Sequence, residues 1–322
     1  MEKLKRNKFY IGIDVGATRI KLGLLDSNLK IIKKIELETK NYPTKESLIL
    51  ALKDKISFLK NNFKIKAIGI GVPGLVNPHK GLIYYLVNIP GWKNVYLKKI
   101  LEGFLNIPVV IDNDVNLMAL AELHSGRAKG KKNVICLTLG TGVGGGLILE
   151  GKLYRGASFS AGEIGHIPLN EEGPKCNCGG IACLERYVGN RYIVERAKEE
   201  IKNKTFPSLI PELIKNDFSK LDPEILSFAL KKNDPLAKKI WEETGRKIGI
   251  ALSGVVNLLN PEMIIIGGGV SGVGKFLFET IRKTIKERAM SVPAKKVKVV
   301  SAKLKNNAGI IGAGVLAKEG IR

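Results

Sequence analysis

The chain has 322 residues and a formal net charge of +23, long enough for two cores of ordinary size. The charge invites a nucleic-acid reading. The lysines, however, are scattered rather than gathered with aromatics into a groove-like patch, and only about eight residues precede the first strand, too few for a helix-turn-helix. No nucleic-acid partner is expected, and the bias toward Lys, Ile and Asn without any Gln has a sufficient source in an AT-rich genome.

The opening residues are charged, and the apolar stretch behind them is cut by Asp14 before it reaches signal-peptide length, so a cytoplasmic protein is expected. The apolar run F-Y-I-G-I leads into Asp14-Val-Gly16-Ala-Thr18-Arg-Ile-Lys21 and then L-G-L-L. This is a strand, a Gly/Thr-rich turn and a returning strand. The backbone N–H groups of such a turn can face a phosphate while Asp14 approaches its magnesium, although one such hairpin alone has an ordinary structural reading. After the strand A-I-G-I-G, Gly71-Val-Pro73-Gly74 has the permissive turn chemistry of a pocket wall, or of a plain connection.

Pro108 to Ile111 reads as a short strand. Asp112-Asn113-Asp114 then precedes a helical pattern through Leu117, Leu120, Ala121 and His124. The carboxyl end of a strand at the start of a helix is where α/β sheets bind ligands; one of the three polar residues is accounted for as a helix N-cap. Val134 to Leu149 repeats the strand, glycine turn and strand, with Thr141 and Gly142 at the turn. Two such hairpins suggest a duplicated nucleotide-binding core. Cys136, in the first of these strands, reads as a small buried apolar residue.

Glu163 to Glu185 places His166, Cys176, Cys178 and Cys183 in one block. Three thiolates and an imidazole are the ligand set of a closed, tetrahedral structural zinc site. Cysteines 176 and 178 pair poorly with each other, and no secretory context argues for oxidation. Gly173, Pro174, Gly179 and Gly180 suit a tight loop around the metal. Residues 191–247 are lysine-rich and helical in pattern. Ile248 to Gly274 contains one charged residue, Glu262, but Pro261 and the switch to I-I-I-G-G-G divide it into a buried helix and a strand, both too short to span a bilayer.

Two motifs imitate other sites. Gly140-x-Gly142-x-x-Gly145 matches a dinucleotide fingerprint, yet an apolar strand follows where a helix is needed. Gly269-x4-Gly274-Lys275 imitates a phosphate loop, but Phe276 stands where a magnesium-binding hydroxyl is required.

The G-E-I-G-H and C-x-C-G-x-x-x-C-L-E pattern, with the two hairpins, resembles the ROK family of sugar kinases and sugar-responsive repressors. Ala182 replaces the family's usual glycine before the third cysteine, a departure that could alter loop geometry but not ligation. The resemblance implies an α/β, two-domain actin-like ATPase (ribonuclease H-like, hexokinase-type) fold with an inserted structural zinc loop. The expected small N-terminal domain spans 1–117, with 303–322 packing back on it, and the large domain spans 118–302 with the zinc motif and adenosine site.

By the same resemblance Asp114 is the general base that takes the proton from a sugar's 6-hydroxyl, Asn113 binds the 3-hydroxyl, and Glu163, His166 and Glu185 surround the anomeric end and 2-substituent. His166 would serve both zinc and sugar; a purely structural histidine is the alternative. Gly74 is assigned to the sugar pocket. Asp14, Gly16, Thr18, Lys21, Thr141 and Gly142 are assigned to ATP and Mg2+. Gly267, Gly268 and Gly269 would approach adenosine, with a tight strand-to-helix turn as the alternative. Asn88-Ile-Pro-Gly-Trp92 resembles a segment of glucokinase-like members, with Trp92 at the pocket mouth or in the core.

The expected function is ATP-dependent phosphorylation of a hexose, glucose first, with N-acetylmannosamine, N-acetylglucosamine, fructose or mannose as other acceptors. A non-catalytic sugar-sensing regulator is the competing class, against which intact hairpins and Asp114 argue. A homodimer or higher homo-oligomer is compatible with the sequence.

Overall fold

The computed structural model describes residues 8–86, 89 and 91–320. Residues 1–7, 87, 88, 90, 321 and 322 lie outside the described residues, so the Asn88 to Trp92 segment is seen only in part; its Trp92 is buried in a core cluster. In chain order the elements are β1 (Phe9–Val15), β2 (Arg19–Leu25), β3 (Ile31–Glu38), α1 (Lys45–Asn62), β4 (Ile65–Val72), β5 (Gly74–Asn77), β6 (Leu82–Leu86), β7 (Lys93–Val95), α2 (Leu97–Leu105), β8 (Val109–Asn113), α3 (Asp114–Ser125), β9 (Val134–Leu139), β10 (Val143–Leu149) and β11 (Lys152–Tyr154). They continue as α4 (Glu185–Val188), α5 (Asn190–Lys202), α6 (Ile210–Leu213), α7 (Pro223–Lys231), α8 (Pro235–Leu259), β12 (Met263–Gly267), α9 (Lys275–Arg288), α10 (Ser291–Lys296), β13 (Lys298–Ser301) and α11 (Ala308–Glu319).

Helix starts follow local chemistry. Thr44 and Ser47 close a capping box at α1, and the side chains of Asp222 and Asp234 accept backbone N–H groups at α7 and α8, each followed by proline at the first helical position. Asn260, in the left-handed region at φ 43°, ends α8.

The chain divides into two compact units, one of Met1–Gly130, Lys152–Ala161 and Lys303–Arg322, the other of Lys131–Gly151 and Gly162–Ala302. The boundary expected at residue 117 falls inside α3, a helix that lies wholly in the first unit. Residues 152–161 also group with the first unit, although they follow a strand of the second.

In the first unit a mixed sheet has the order β3-β2-β1-β4-β8, with β1 and β2 antiparallel and β1, β4 and β8 parallel. One face is covered by α1 and α2 through residues such as Leu52, Ile56, Leu97 and Leu101. The other is covered by α3 and α11 through Leu117, Ile310, Ala313 and Leu316. Burial of each such side chain stabilises by roughly 1.5–3 kcal/mol relative to exposure. A three-stranded sheet, β5-β6-β7, completes the unit.

The second unit repeats the scheme. Its β9 and β10 are antiparallel, and β9, β12 and β13 are parallel, so the arrangement β2-β1-β4-β8 recurs as β10-β9-β12-β13. Helices α8 and α9 pack together, with Gly245 and Gly249 of α8 close against Thr280, Leu277, Thr284 and Ile281 of α9, and Trp241, Ile248 and Leu252 of α8 are also buried. Cys136 is fully buried in β9. Among the described residues no helix is long and apolar enough to cross a membrane; the apolar run 248–274 divides into the end of α8, β12 and the 3-10 turn Gly269–Val273.

Candidate active site

In the first unit, Asp14 stands near the end of β1 opposite Lys21, beside a turn in which the Gly16 N–H donates to the Arg19 carbonyl at 2.9 Å. The Thr39 hydroxyl donates to the Gly16 carbonyl at 2.8 Å and fixes the turn. Thr18 is exposed at the tip. Desolvation pushes the Asp14 carboxyl above the usual carboxylate range, and Lys21 pulls it back only in part. A carboxylate at the edge of a phosphate-type turn, short of compensating charge, fits Mg2+, which is held by one or two carboxylates while keeping several waters. A methyl at Gly309, in the first turn of α11, would strike the Asp14 carboxylate. Glycine therefore lets that helix start beside the acid, where its dipole favours negative charge. Sequence reading missed Gly309, since nothing in the pattern G-I-I-G marks its neighbour.

The Asp112-Asn113-Asp114 segment differs from expectation. Strand β8 runs through Asn113, because Asp112 and Asn113 continue the parallel ladder against Gly71 and Val72. The expected loop 71–74 is correspondingly short: Gly71 and Val72 belong to β4 and Gly74 opens β5, leaving Pro73 between them. Asn113 caps α3, its Oδ1 accepting from Val115 N at 2.8 Å and from Asn116 N at 3.4 Å. Its Nδ2 donates to the Gly74 carbonyl at 3.1 Å. Asn113 and Gly74, both assigned to sugar, are thus tied to each other. Asp114 is half-buried in the first turn of α3 and accepts from Val115 N at 3.0 Å.

Asp112 is buried and takes an unforeseen partner. Arg155, just past β11, places Nε and Nη2 each 2.7 Å from its Oδ2. Its Oδ1 accepts from Asn113 N and Asn116 Nδ2, both at 2.8 Å. The ion pair pins residues 152–161 to the strand end that carries the acidic segment.

In the second unit the β9–β10 turn is closed by a Gly140 N–H bond to the Gly142 carbonyl at 3.0 Å. Glu185 Oε2 accepts from Val143 N at 2.8 Å, and Asn190 N donates to the Gly140 carbonyl at 2.9 Å. His166 Nδ1 lies 3.7 Å from Cys176 Sγ, and its Nε2 lies 3.8 Å from Glu163 Oε2. Partial desolvation pushes the Glu163 carboxyl up, His166 opposes this, and the charge of Glu185 adds to it.

The ligand atoms of His166, Cys176, Cys178 and Cys183 all lie within 4.8 Å of one another. Cys178 Sγ and Cys183 Sγ are 3.7 Å apart, far beyond a disulfide and close to the roughly 3.8 Å edge of a tetrahedron with zinc–sulfur bonds of about 2.3 Å. Burial, with the adjoining Cys178 and Cys176, pushes the Cys183 thiol up to about 12, whereas the Gly180 backbone N–H lowers Cys178. Thiols crowded in this way suit a bound cation. Ala182 keeps a positive φ of 53°, the conformation a glycine adopts without strain, so the loop closes despite the substitution.

Gly267 ends β12, Gly268 has φ +84°, and Gly269 begins the following 3-10 turn. Gly269 and Gly272 line a cavity of about 580 Å³ with Asn190, Pro223 and Phe228, within the usual range for a small-molecule pocket. Asn190 Oδ1, also in the lining, is a buried acceptor with no hydrogen-bond partner among the described residues. Sequence reading missed Asn190, which follows a glycine at a helix start and reads there as an ordinary cap.

A family model described as "ROK family" matches residues 10–320. The chain is 35% identical over 319 residues to the glucokinase of Halalkalibacterium halodurans, covering 97% of this chain and 96% of that one. It is 32% identical over 307 residues to the xylose repressor of Caldicellulosiruptor bescii, covering 94% of this chain and 76% of that one. Its fold is similar to the crystal structure of a ROK family glucokinase from Streptomyces griseus in complex with glucose and AMPPNP, with a TM-score of 0.82 and 32% identity over 97% of this chain and all of that one.

Proposed function

The chain belongs to the ROK family, with its two-domain actin-like kinase fold, and from that premise we propose that it is an ATP-dependent sugar kinase that transfers the γ-phosphate to the 6-hydroxyl of glucose. The observation that carries the reading is the retained carboxylate of Asp114 at the first turn of α3, directly after β8, in a chain that matches glucokinases over nearly its whole length. A sugar hydroxyl is a weak nucleophile, and a carboxylate within reach orients it and accepts its proton as the new oxygen–phosphorus bond forms.

The other residues position the reactants. Asn113 and Gly74, locked together by their hydrogen bond, form one wall for the sugar. Glu163, His166 and Glu185 bind its anomeric end and 2-substituent. The β1–β2 hairpin, with Gly16 shaping its turn, Thr18 at the tip and Lys21 in β2, and the β9–β10 turn with Thr141 and Gly142 offer backbone amides and a cation to the phosphates, and the cavity beside Gly269 takes adenosine, with Gly267 and Gly268 at its strand end. Mg2+ entering with ATP supplies charge neutralisation, and Asp14 would hold it. Zinc on His166, Cys176, Cys178 and Cys183 would fix the imidazole so that Nε2 keeps its direction toward the sugar.

Initial rates of ADP release with MgATP and glucose, mannose, fructose, N-acetylglucosamine or N-acetylmannosamine test the proposal. Glucose should give the highest kcat/KM; another winner leaves the kinase and changes the acceptor. The similarity to a xylose repressor favours a second reading, a sugar-responsive regulator. Titration with DNA and with sugar separates the two: DNA binding released by sugar, without ADP formation, would select the regulator.

A further inference from the structure

Glu185 joins the cysteine loop to the second phosphate hairpin. It lies two residues after Cys183, on a backbone held by the Leu184 N–H bond to the Ile167 carbonyl and the Arg186 N–H bond to the Cys183 carbonyl, both 2.9 Å. From there its Oε2 takes the Val143 N–H at 2.8 Å, immediately past the Thr141-Gly142 turn. An added Cβ at Gly142 would stand 2.6 Å from the same oxygen, so the turn is shaped around the carboxylate. The strand of chain after Glu185 grips the other side of the hairpin, through Asn190 N and the Gly140 carbonyl at 2.9 Å. The hairpin is therefore held at both ends by α4 and the residues that follow it, and α4 hangs directly on a cysteine of the metal-type cluster.

We propose that Glu185 is a positioning residue for the nucleotide's phosphates: by fixing Val143 it pre-organises the Thr141-Gly142 amides, and it makes ATP binding depend on the integrity of the cysteine loop. This goes beyond its role toward sugar and rests on the kinase reading above. The physical reason is entropic. A glycine turn that must be ordered by its ligand loses affinity that a pre-ordered one keeps. The effect falls at the phosphate end, since the adenosine cavity is lined mainly by α7 and the turn after β12, and Asn190, which also lines it, holds the Gly140 carbonyl through its own backbone N–H rather than through Glu185.

The test is calorimetric binding of a non-hydrolysable ATP analogue with Mg2+, and separately of adenosine, both without sugar. Glu185→Ala should bind the analogue about tenfold more weakly, the effect of losing one charge-assisted hydrogen bond, while adenosine affinity stays within about twofold. Glu185→Gln keeps an acceptor for Val143 and should stay within about threefold of wild type for both ligands. Gly142→Ala, which displaces the carboxylate from the other side, and Cys178→Ser, which loosens the loop, should repeat the Glu185→Ala pattern. Analogue binding by Glu185→Ala at wild-type strength or tighter, as relief of charge repulsion alone would give, overturns the proposal. Equal weakening of adenosine and analogue also overturns it. Wild-type protein that binds neither nucleotide would remove the kinase reading itself, whereas normal wild-type binding with an unaffected variant removes only the positioning role.

Discussion

Arg155→Met probes the contact on which the first unit's acidic corner rests. The substitution keeps an unbranched side chain of similar reach and removes the guanidinium from Asp112, whose side chain is 3% exposed against 28% for Arg155. Stripping one partner from a fully buried ion pair costs about 3–5 kcal/mol. Asp112 here keeps its hydrogen bonds from Asn113 N and Asn116 Nδ2, and water reaches the exposed edge of the pair, which brings the expected loss to about 2–4 kcal/mol. For a domain of this size each kcal/mol moves the unfolding midpoint by about 2–4 °C, so the transition of the first unit should fall by about 5–15 °C in calorimetry. Adding Asp112→Asn removes the stranded charge. The double-mutant cycle should then show a coupling of at least about 1.5 kcal/mol, since the two sites are in contact. A single variant that melts within about 2 °C of wild type refutes the reasoning, because the pair would then be an exposed contact of little worth.

Asp114→Ala should lower kcat by about 10²–10⁴ with KM for sugar changed little, as expected for loss of a general base; steady-state kinetics that return wild-type kcat would remove it from the reaction. Cys178→Ser should abolish stoichiometric zinc in metal analysis and weaken glucose binding by about tenfold, because a metal bound there would no longer orient His166; native protein without zinc would contradict the cluster's assignment. Asp14→Asn should end turnover yet raise the melting temperature near neutral pH. Burial raises the folded-state pKa of Asp14 above its unfolded value, so its contribution to stability is present at acid pH and is lost as pH rises through the raised pKa. Melting curves across pH should show the Asn variant gaining on wild type as pH increases, and a gain independent of pH would contradict the cause given.

The two hairpins were legible because a Gly/Thr turn between apolar strands is a local signal, and the metal-type cluster because four ligand residues fall in one short block. A duplicated core was suggested by the hairpins alone, but the recurrence of β2-β1-β4-β8 as β10-β9-β12-β13 was not, because the strands that complete each sheet carry no repeated motif. What escaped the sequence was tertiary. Arg155 meets Asp112, and Gly309 meets Asp14, from distant parts of the chain, and Glu185 meets Val143 across some forty residues; no periodicity encodes such pairings. The polar pair Asp112 and Asn113 concealed the last two residues of β8, because the ladder with Gly71 and Val72 overrides their low strand propensity.

The product of glucose and MgATP, identified by NMR, tests the central reading most directly. Wild-type protein should form glucose phosphorylated on the 6-oxygen, with ADP released one for one, and Asp114→Ala should form almost none in the same time. ADP released without a sugar phosphate, phosphate on another hydroxyl, or no turnover at all with glucose or any other hexose would contradict it.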